Sequence, residues 1–206
     1  MDAPSILLLS GGVESSTLLH QLAQGGEALQ GLFVDYGQRA APHERRAAED
    51  QCEPLGVEVV VLDLSRVGAT FRRGQDRKAH VPLPHRNLVA LSLALSYATN
   101  LGARRIYLAV NREDTLDYPS ASHAFLAQFR LTAGLLGDVE LRTPYVSMGK
   151  TDIVRRGAEL GVDFDVTYSC LVGYPVHCGR CPQCRKRRAA FAAAGIRETD
   201  GFYRVG

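Results

Sequence analysis

Short, mostly apolar runs alternate with longer stretches of helical period along most of this chain. Residues 6–9 (Ile-Leu-Leu-Leu) open the pattern, and runs at 29–34, 57–62, 105–110 and 139–142 repeat it, the third rich in β-branched valine. Runs this short, bounded by glycine and polar residues, fit strands of a sheet buried on both faces. Helical period fills the gaps. One segment carries Leu18, Leu19 and Leu22 and is stopped by Gly25-Gly26; others run over 42–55, the long apolar stretch 87–101, and 123–136. Alternating strands and helices predict an α/β fold, a doubly wound, Rossmann-like parallel sheet of five strands covered on both faces.

Composition narrows this only slightly. A chain of 206 residues with 46% hydrophobic and 22% charged residues suits one compact soluble unit. The expected division is an α/β domain over 1–143 and an extension over 144–206 packed on it. Lys plus Arg is 24 against 22 Asp plus Glu, so the net charge of +2 gives no ground for nucleic-acid coating or membrane-surface binding. Met1-Asp2-Ala3-Pro4-Ser5 has no basic start, and the apolar run after it is too short to cross a membrane, so a cytoplasmic protein is expected. Residues 66–80, with Arg72, Arg73, Arg77 and Lys78, read as a polar excursion from the sheet.

The first candidate chemistry follows the first strand: Ser10-Gly11-Gly12-Val13-Glu14-Ser15-Ser16. Glycines let the backbone approach a ligand, and a helix starting there offers free N–H groups and a positive dipole end, which suit a phosphate. The hydroxyls of Ser10, Ser15 and Ser16 add donors. No Gly-Lys-Ser/Thr follows, so the loop is not of the Walker type. An ordinary strand-to-helix turn would also accommodate these residues.

The second is a cysteine cluster. Four of the five cysteines, Cys170, Cys178, Cys181 and Cys184, fall within fifteen residues. Four thiolates complete a closed tetrahedral zinc shell, the reading preferred here; an iron–sulfur cluster or a redox dithiol uses the same residues. His177 is a possible substitute ligand, and Cys52 reads as a core residue. Among the remaining polar residues, Asp35 ends the second strand. Arg86 and Asn87 begin the long helix, with Asn87 a candidate N-cap. Lys150 opens a helix, where a cation opposes the dipole and a phosphate partner is expected. Residues 185–188 (Arg-Lys-Arg-Arg) read as a solvated basic face, with a nearby acidic partner as the alternative.

The loop resembles the Ser-Gly-Gly-x-Asp-Ser signature of the ATP pyrophosphatases, with Glu14 where that group carries Asp. Together with the Cys-x7-Cys-x2-Cys-x2-Cys tail it resembles the 7-cyano-7-deazaguanine synthase family. Phe33-Val34-Asp35-Tyr36-Gly37-Gln38-Arg39 with Glu44, Tyr118-Pro119, Pro144, Lys150-Thr151-Asp152-Ile153 and Thr167-Tyr168-Ser169-Cys170 extend the match nearly end to end. The resemblance implies an adenine nucleotide alpha hydrolase-like fold with a zinc-binding extension, using ATP, Mg²⁺ and structural Zn²⁺. It implies adenylation of a 7-deazaguanine-type carboxylate and attack by ammonia, giving an amide or nitrile. Ser10 to Ser16 would hold ATP, and Glu14, Asp35, Arg86 and Lys150 would serve the reaction. A homodimer is expected.

This chain departs from the family at His85, where the family has Gly in Val-Pro-Gly-Arg-Asn, and at Ser120-Ala121-Ser122, where it has Asp-Cys-Arg. Divergent relatives of this kind are associated with antiphage operons, where a deazaguanine is attached to a protein amine. An RNA-modifying ATP pyrophosphatase and an inactive zinc-stabilised interaction module are the remaining readings.

Overall fold

The computed structural model describes residues 3–72 and 83–204. Five parallel strands, β1 (Ser5–Leu9), β2 (Leu29–Asp35), β3 (Val59–Asp63), β4 (Arg105–Leu108) and β5 (Glu140–Arg142), form one sheet in the order β3-β2-β1-β4-β5. Eight α-helices accompany them among the described residues: α1 (Val13–Gln24), α2 (Ala41–Cys52), α3 (Ser65–Arg72), α4 (Arg86–Leu101), α5 (Arg112–Asp117), α6 (His123–Leu136), α7 (Lys150–Glu159) and α8 (Pro182–Ala194).

Strand periodicity sends alternate side chains of β1 to opposite faces. Ile6 and Leu8 join Leu32, Val34 and Ile106 under α4 and α6, where Leu91, Leu95, Leu126 and Phe129 close the core. Leu7 and Leu9 join Phe33 and Tyr107 under Leu18 and Leu19 of α1, Ala48 and Cys52 of α2, and Ile153 of α7. Each fully buried Leu or Ile contributes about 1.5–3 kcal/mol, so both faces supply comparable adhesion. Residues beyond 143 are woven into this body: Ala190 and Phe191 of α8 pack on Val13 of α1 and Val154 of α7.

The elements differ from the sequence expectation mainly at their ends. The helix expected over 42–55 stops at Cys52 and tightens into a 3-10 turn at Glu53–Leu55, because Pro54 cannot donate and Gly56 takes the left-handed conformation. The strand at 105–110 ends at Leu108, since Asn111 caps a new helix. The expected excursion at 66–80 begins as α3, whose Gly68 lies where any Cβ would fall 1.7 Å from the Tyr36 carbonyl oxygen. Arg73, Arg77, Lys78, Val81 and Pro82 lie outside the described residues.

Candidate active site

Sheet order reverses between β1 and its two neighbours, with β2 on one side and β4 on the other. Loops leaving a parallel sheet at such a point diverge and open a crevice beyond the strand ends. Here the crevice is a cavity of about 590 Å³, floored by Leu9, Phe33 and Leu108.

One wall is the glycine–serine loop. Gly11 has φ +66°, and a Cβ there would lie 2.2 Å from the Glu44 backbone oxygen, so only glycine lets the loop sit against α2. Gly12 occupies the N-cap position of α1 without a capping side chain, so no N-cap side chain stands between an anion and this helix N-terminus. Ser10, Gly12, Glu14 and Ser15 line the cavity, with the Ser10 and Ser15 hydroxyls 3.2 Å apart. Val13 packs behind the loop against Phe191, and the Ser16 hydroxyl is buried without a hydrogen-bond partner among the described residues.

Glu14 ties three segments together. Its carboxylate accepts from the Asn111 amide at 2.9 Å and from the Lys150 ammonium at the head of α7. Burial works against this carboxylate, yet Lys150 and Asn111 hold its pKa below the ordinary carboxylate range. The cation that opposes the α7 dipole thus has an acidic protein partner, and Glu113 accepts the Lys150 backbone N–H at 3.2 Å. Asn111 is itself fixed by a reciprocal capping box with Asp114. Burial, then the Glu14 charge, raises the Asp114 pKa.

The rest of the lining draws on α2, which abuts the loop, and on α4, α8 and the turn at Tyr118. Arg86 stands over the Tyr118 ring, 5.1 Å from its centroid, and Gln183 donates to the Tyr118 hydroxyl at 3.3 Å. Lys186 pairs with Asp117. Glu44 accepts from the Gln38 amide at 3.0 Å, and burial pushes its pKa up to about 7 despite Gln38 and the Arg86 charge. Asn87 is no N-cap: His85 takes that position with φ +52°, and the Asn87 amide donates to the Ser120 carbonyl at 3.2 Å. The positive φ explains why glycine suits position 85; histidine is among the side chains that tolerate it.

Asp35 does not line the cavity; it accepts from the Gly37 N–H at 2.8 Å and shapes the turn after β2. Ser120 and Ser122 do not line it either. Ser120 is buried outside the lining, while Ser122 caps α6 by accepting from the Phe125 N–H at 3.2 Å.

The four cysteines of the tail come together, their sulfurs all within 4.8 Å of one another, a group that could hold a metal ion. Backbone N–H groups of Arg180 and Cys181 point at the Cys178 sulfur, and that of Cys184 at the Cys181 sulfur. Cys181 is the N-cap of α8, which therefore starts three residues before the expected Arg185. His177 stands outside the thiol group; its Nε2 accepts from the Ser169 N–H at 2.9 Å. The basic run at 185–188 is not wholly solvated, because Arg187 is fully buried, paired with Glu198 at 2.6 Å and hydrogen-bonded to Thr167.

Sequence reasoning missed Asn111, Asp114, Gln183 and Lys186 as cavity residues. Asn111-x-x-Asp114 is a legible capping signal; the other two are ordinary helix residues until α8 is placed against Tyr118.

A 3-2-1-4-5 parallel sheet with this loop at its switch point defines an adenine nucleotide alpha hydrolase-like α/β protein. The chain belongs to the QueC family: the family model described as queuosine biosynthesis protein QueC matches residues 4–195. It is 34% identical to 7-cyano-7-deazaguanine synthase 1 of Sulfurisphaera tokodaii over 96% of this chain and 97% of that protein. It is 37% identical to 7-cyano-7-deazaguanine synthase of Azotobacter vinelandii over 98% of this chain and 99% of that one. The U34-tRNA thiolase NcsA of Methanococcus maripaludis, solved with its 4Fe–4S cluster, superposes with a TM-score of 0.58 at 12% identity, covering 93% of this chain and 65% of that one. That likeness is one of fold alone. No helix among the described residues is long and apolar enough to cross a membrane.

Proposed function

We propose that this chain is an ATP-dependent C–N ligase acting on a 7-deazaguanine-type carboxylate. The carboxylate attacks the α-phosphorus of ATP, pyrophosphate leaves, and an amine then displaces AMP from the acyl adenylate to give an amide. Activation is needed because oxide is a poor leaving group and AMP a good one. The supporting observation is the cavity itself: a helix N-terminus without a side-chain cap, with Ser10, Gly12 and Ser15, shares it with Arg86 and Tyr118. In this reading the loop holds the phosphates, and Lys150 and Arg86 offset charge developing on them. Glu14 positions Lys150, while Asp35 shapes the turn behind the wall. Mg²⁺ bound to the ATP phosphates would offset their charge, and Glu14, Glu113 and Asp114 are the lining carboxylates on this side that would hold it.

The thiol group suits structural zinc. A tetrahedron with Zn–S bonds of about 2.3 Å has sulfur–sulfur edges of about 3.8 Å, and the Cys178 and Cys184 sulfurs lie 3.9 Å apart. A four-iron cubane would hold its ligands farther apart than the 4.8 Å spread allows.

The acceptor is the finer question. Neither Ser120 nor Ser122, which stand where the family has Asp and Arg, lines the cavity, and in this reading the acyl or amine partner is shifted from the family's usual pairing, with a protein amine as one candidate. The test is a mass-spectrometric assay with ATP, 7-carboxy-7-deazaguanine and ammonia, run with and without candidate acceptor proteins. Carboxylate-dependent AMP formation with an amide or nitrile product is expected. Nitrile formation as efficient as in a typical synthase would remove the acceptor shift. No AMP with any carboxylate would favour the inactive-module reading, and product attached to RNA would favour an RNA-modifying enzyme.

A further inference from the structure

The carboxylates around the cavity differ in what already holds them. Glu14 is taken by Lys150 and Asn111, Asp114 by the capping box, Glu113 by the Lys150 N–H and Asp117 by Lys186. Glu44 is held differently. Its one hydrogen-bond partner among the described residues is a neutral side-chain amide, that of Gln38 on Oε2, with no ion pair or helix cap engaging it, and it lines the cavity. Its place is fixed by α2, which presses so closely on the loop that only Gly11 fits beneath the Glu44 carbonyl.

An amine nucleophile brings a specific need. At neutral pH ammonia and lysine-type amines are largely cations, and a protonated nitrogen has no lone pair to attack with. The α1 N-terminus on the loop side suits phosphates rather than a cation, and the carboxylates beside it are taken up by Lys150, Asn111 and backbone N–H groups. Glu44 offers the reverse: a negative acceptor, recessed, with its second oxygen fixed.

We propose that Glu44 is the catalytic base for the amine, binding the ammonium form and removing its proton before attack on the acyl adenylate. This rests on the ligase reading above. The balance is simple. Ammonium gives one proton to the Glu44 carboxylate. The freed nitrogen lone pair forms the C–N bond, and the bond from the acyl carbon to the AMP oxygen breaks with its electron pair on AMP. The second proton lost by nitrogen leaves to solvent.

The surroundings suit a base that works near neutrality. Burial has the largest effect on Glu44 and raises its pKa to about 7; the Gln38 amide and the Arg86 charge from α4 oppose it, and Asp35 at the end of β2 adds to it. Tyr36, beside Asp35, and Tyr168, from the segment before the cysteines, also face it, and burial raises both phenols well above their usual range, so neither competes as a base near pH 7. A carboxyl group with this pKa accepts a proton from an amine in one step and returns it to water in the next.

The experiment separates the two half-reactions. Carboxylate-dependent ATP–pyrophosphate exchange reports adenylation, and amide formation from ammonium chloride, followed from pH 6 to 9.5, reports attack. In Glu44→Gln, exchange should stay within about threefold of the parent, while amide formation at pH 7 falls about 100-fold or more. The inflection near pH 7 should vanish, and high pH, where free ammonia is supplied directly, should recover part of the rate. Glu44→Asp should keep a titrating inflection at a moved pH, and it carries the test if the Gln variant does not fold. Amide formation unchanged in Glu44→Gln overturns the proposal. Exchange and amide formation lost equally would overturn it too, assigning Glu44 to nucleotide or deazaguanine binding. No exchange in the parent protein sinks the ligase reading and this inference with it.

Discussion

The two walls of the cavity solve the problem of burying charge in opposite ways. On the loop wall the central charges are paired: Glu14 meets Lys150 and Asn111, while Asp114 and Glu113 accept the backbone N–H groups of Asn111 and Lys150. On the α2 side Glu44 has a single neutral amide partner and no ion pair among the described residues, and the two serines of the Tyr118 turn contribute nothing to the lining. The first arrangement is rigid and suits a ligand whose charge does not vary, such as a polyphosphate. The second leaves a buried carboxyl near its titration point, which suits a partner that arrives charged and must lose a proton. Glu14 belongs to the loop wall, where its carboxylate meets both Lys150 and Asn111.

The largest expected effect lies outside both walls and tests what supports them. Cys181→Ser removes a thiolate and the α8 N-cap together. The parent should contain one zinc per chain by metal analysis and the variant far less. Because structural zinc supplies on the order of 10 kcal/mol of folding free energy, the variant should fail to give a cooperative thermal transition. Iron in the parent, or well-folded protein with no metal, would refute the zinc assignment.

Lys150→Met breaks the pair on the loop wall. It strands a buried Glu14 carboxylate and should cost about 3–5 kcal/mol at pH 7 in denaturant unfolding. The folded pKa of Glu14 lies below its ordinary 4.5. The pair's contribution is therefore full above about pH 4.5 and fades as pH falls through the lower folded value. In the variant, burial raises the Glu14 pKa instead, so the gap between parent and variant should narrow in acid. A gap independent of pH would show that Glu14 and Lys150 are not coupled.

Gly12→Asp tests whether that wall receives phosphate. Gly12 has ordinary φ, and the nearest atom to an added Cβ is the Ser10 hydroxyl at 3.4 Å, so the fold tolerates the change. A carboxylate in the cradle should weaken ATP binding at least 100-fold by calorimetry, about 2.7 kcal/mol. Unchanged affinity would move ATP elsewhere.

The smallest effect sharpens the reading of the other wall. Ser122→Ala should cost about 1 kcal/mol through loss of the α6 cap and leave the KM for the carboxylate unchanged. A raised KM with stability intact would return Ser122 to the substrate site.

Much of this was legible in the chain because it depends on local pattern. Buried strands must be apolar, helices need their period, a backbone that approaches a ligand needs glycine, and cysteines spaced by two residues fold onto one centre. These features gave the five-stranded sheet, the loop at Gly11 and Gly12 and the thiol group of Cys170, Cys178, Cys181 and Cys184. What only the tertiary structure decided are relations between segments far apart in sequence. Glu14 meets Lys150 across 136 positions and Asn111 across 97. Arg187, one of four consecutive basic residues, is buried on Glu198 while its neighbours are not. Ser122 serves a helix instead of the cavity, and Glu44 acquires its unusual affinity for a proton from burial beside the loop. Local pattern is set by neighbours along the chain; charge pairing, desolvation and pKa are set by neighbours in space, which exist only once the sheet has brought its strand ends together.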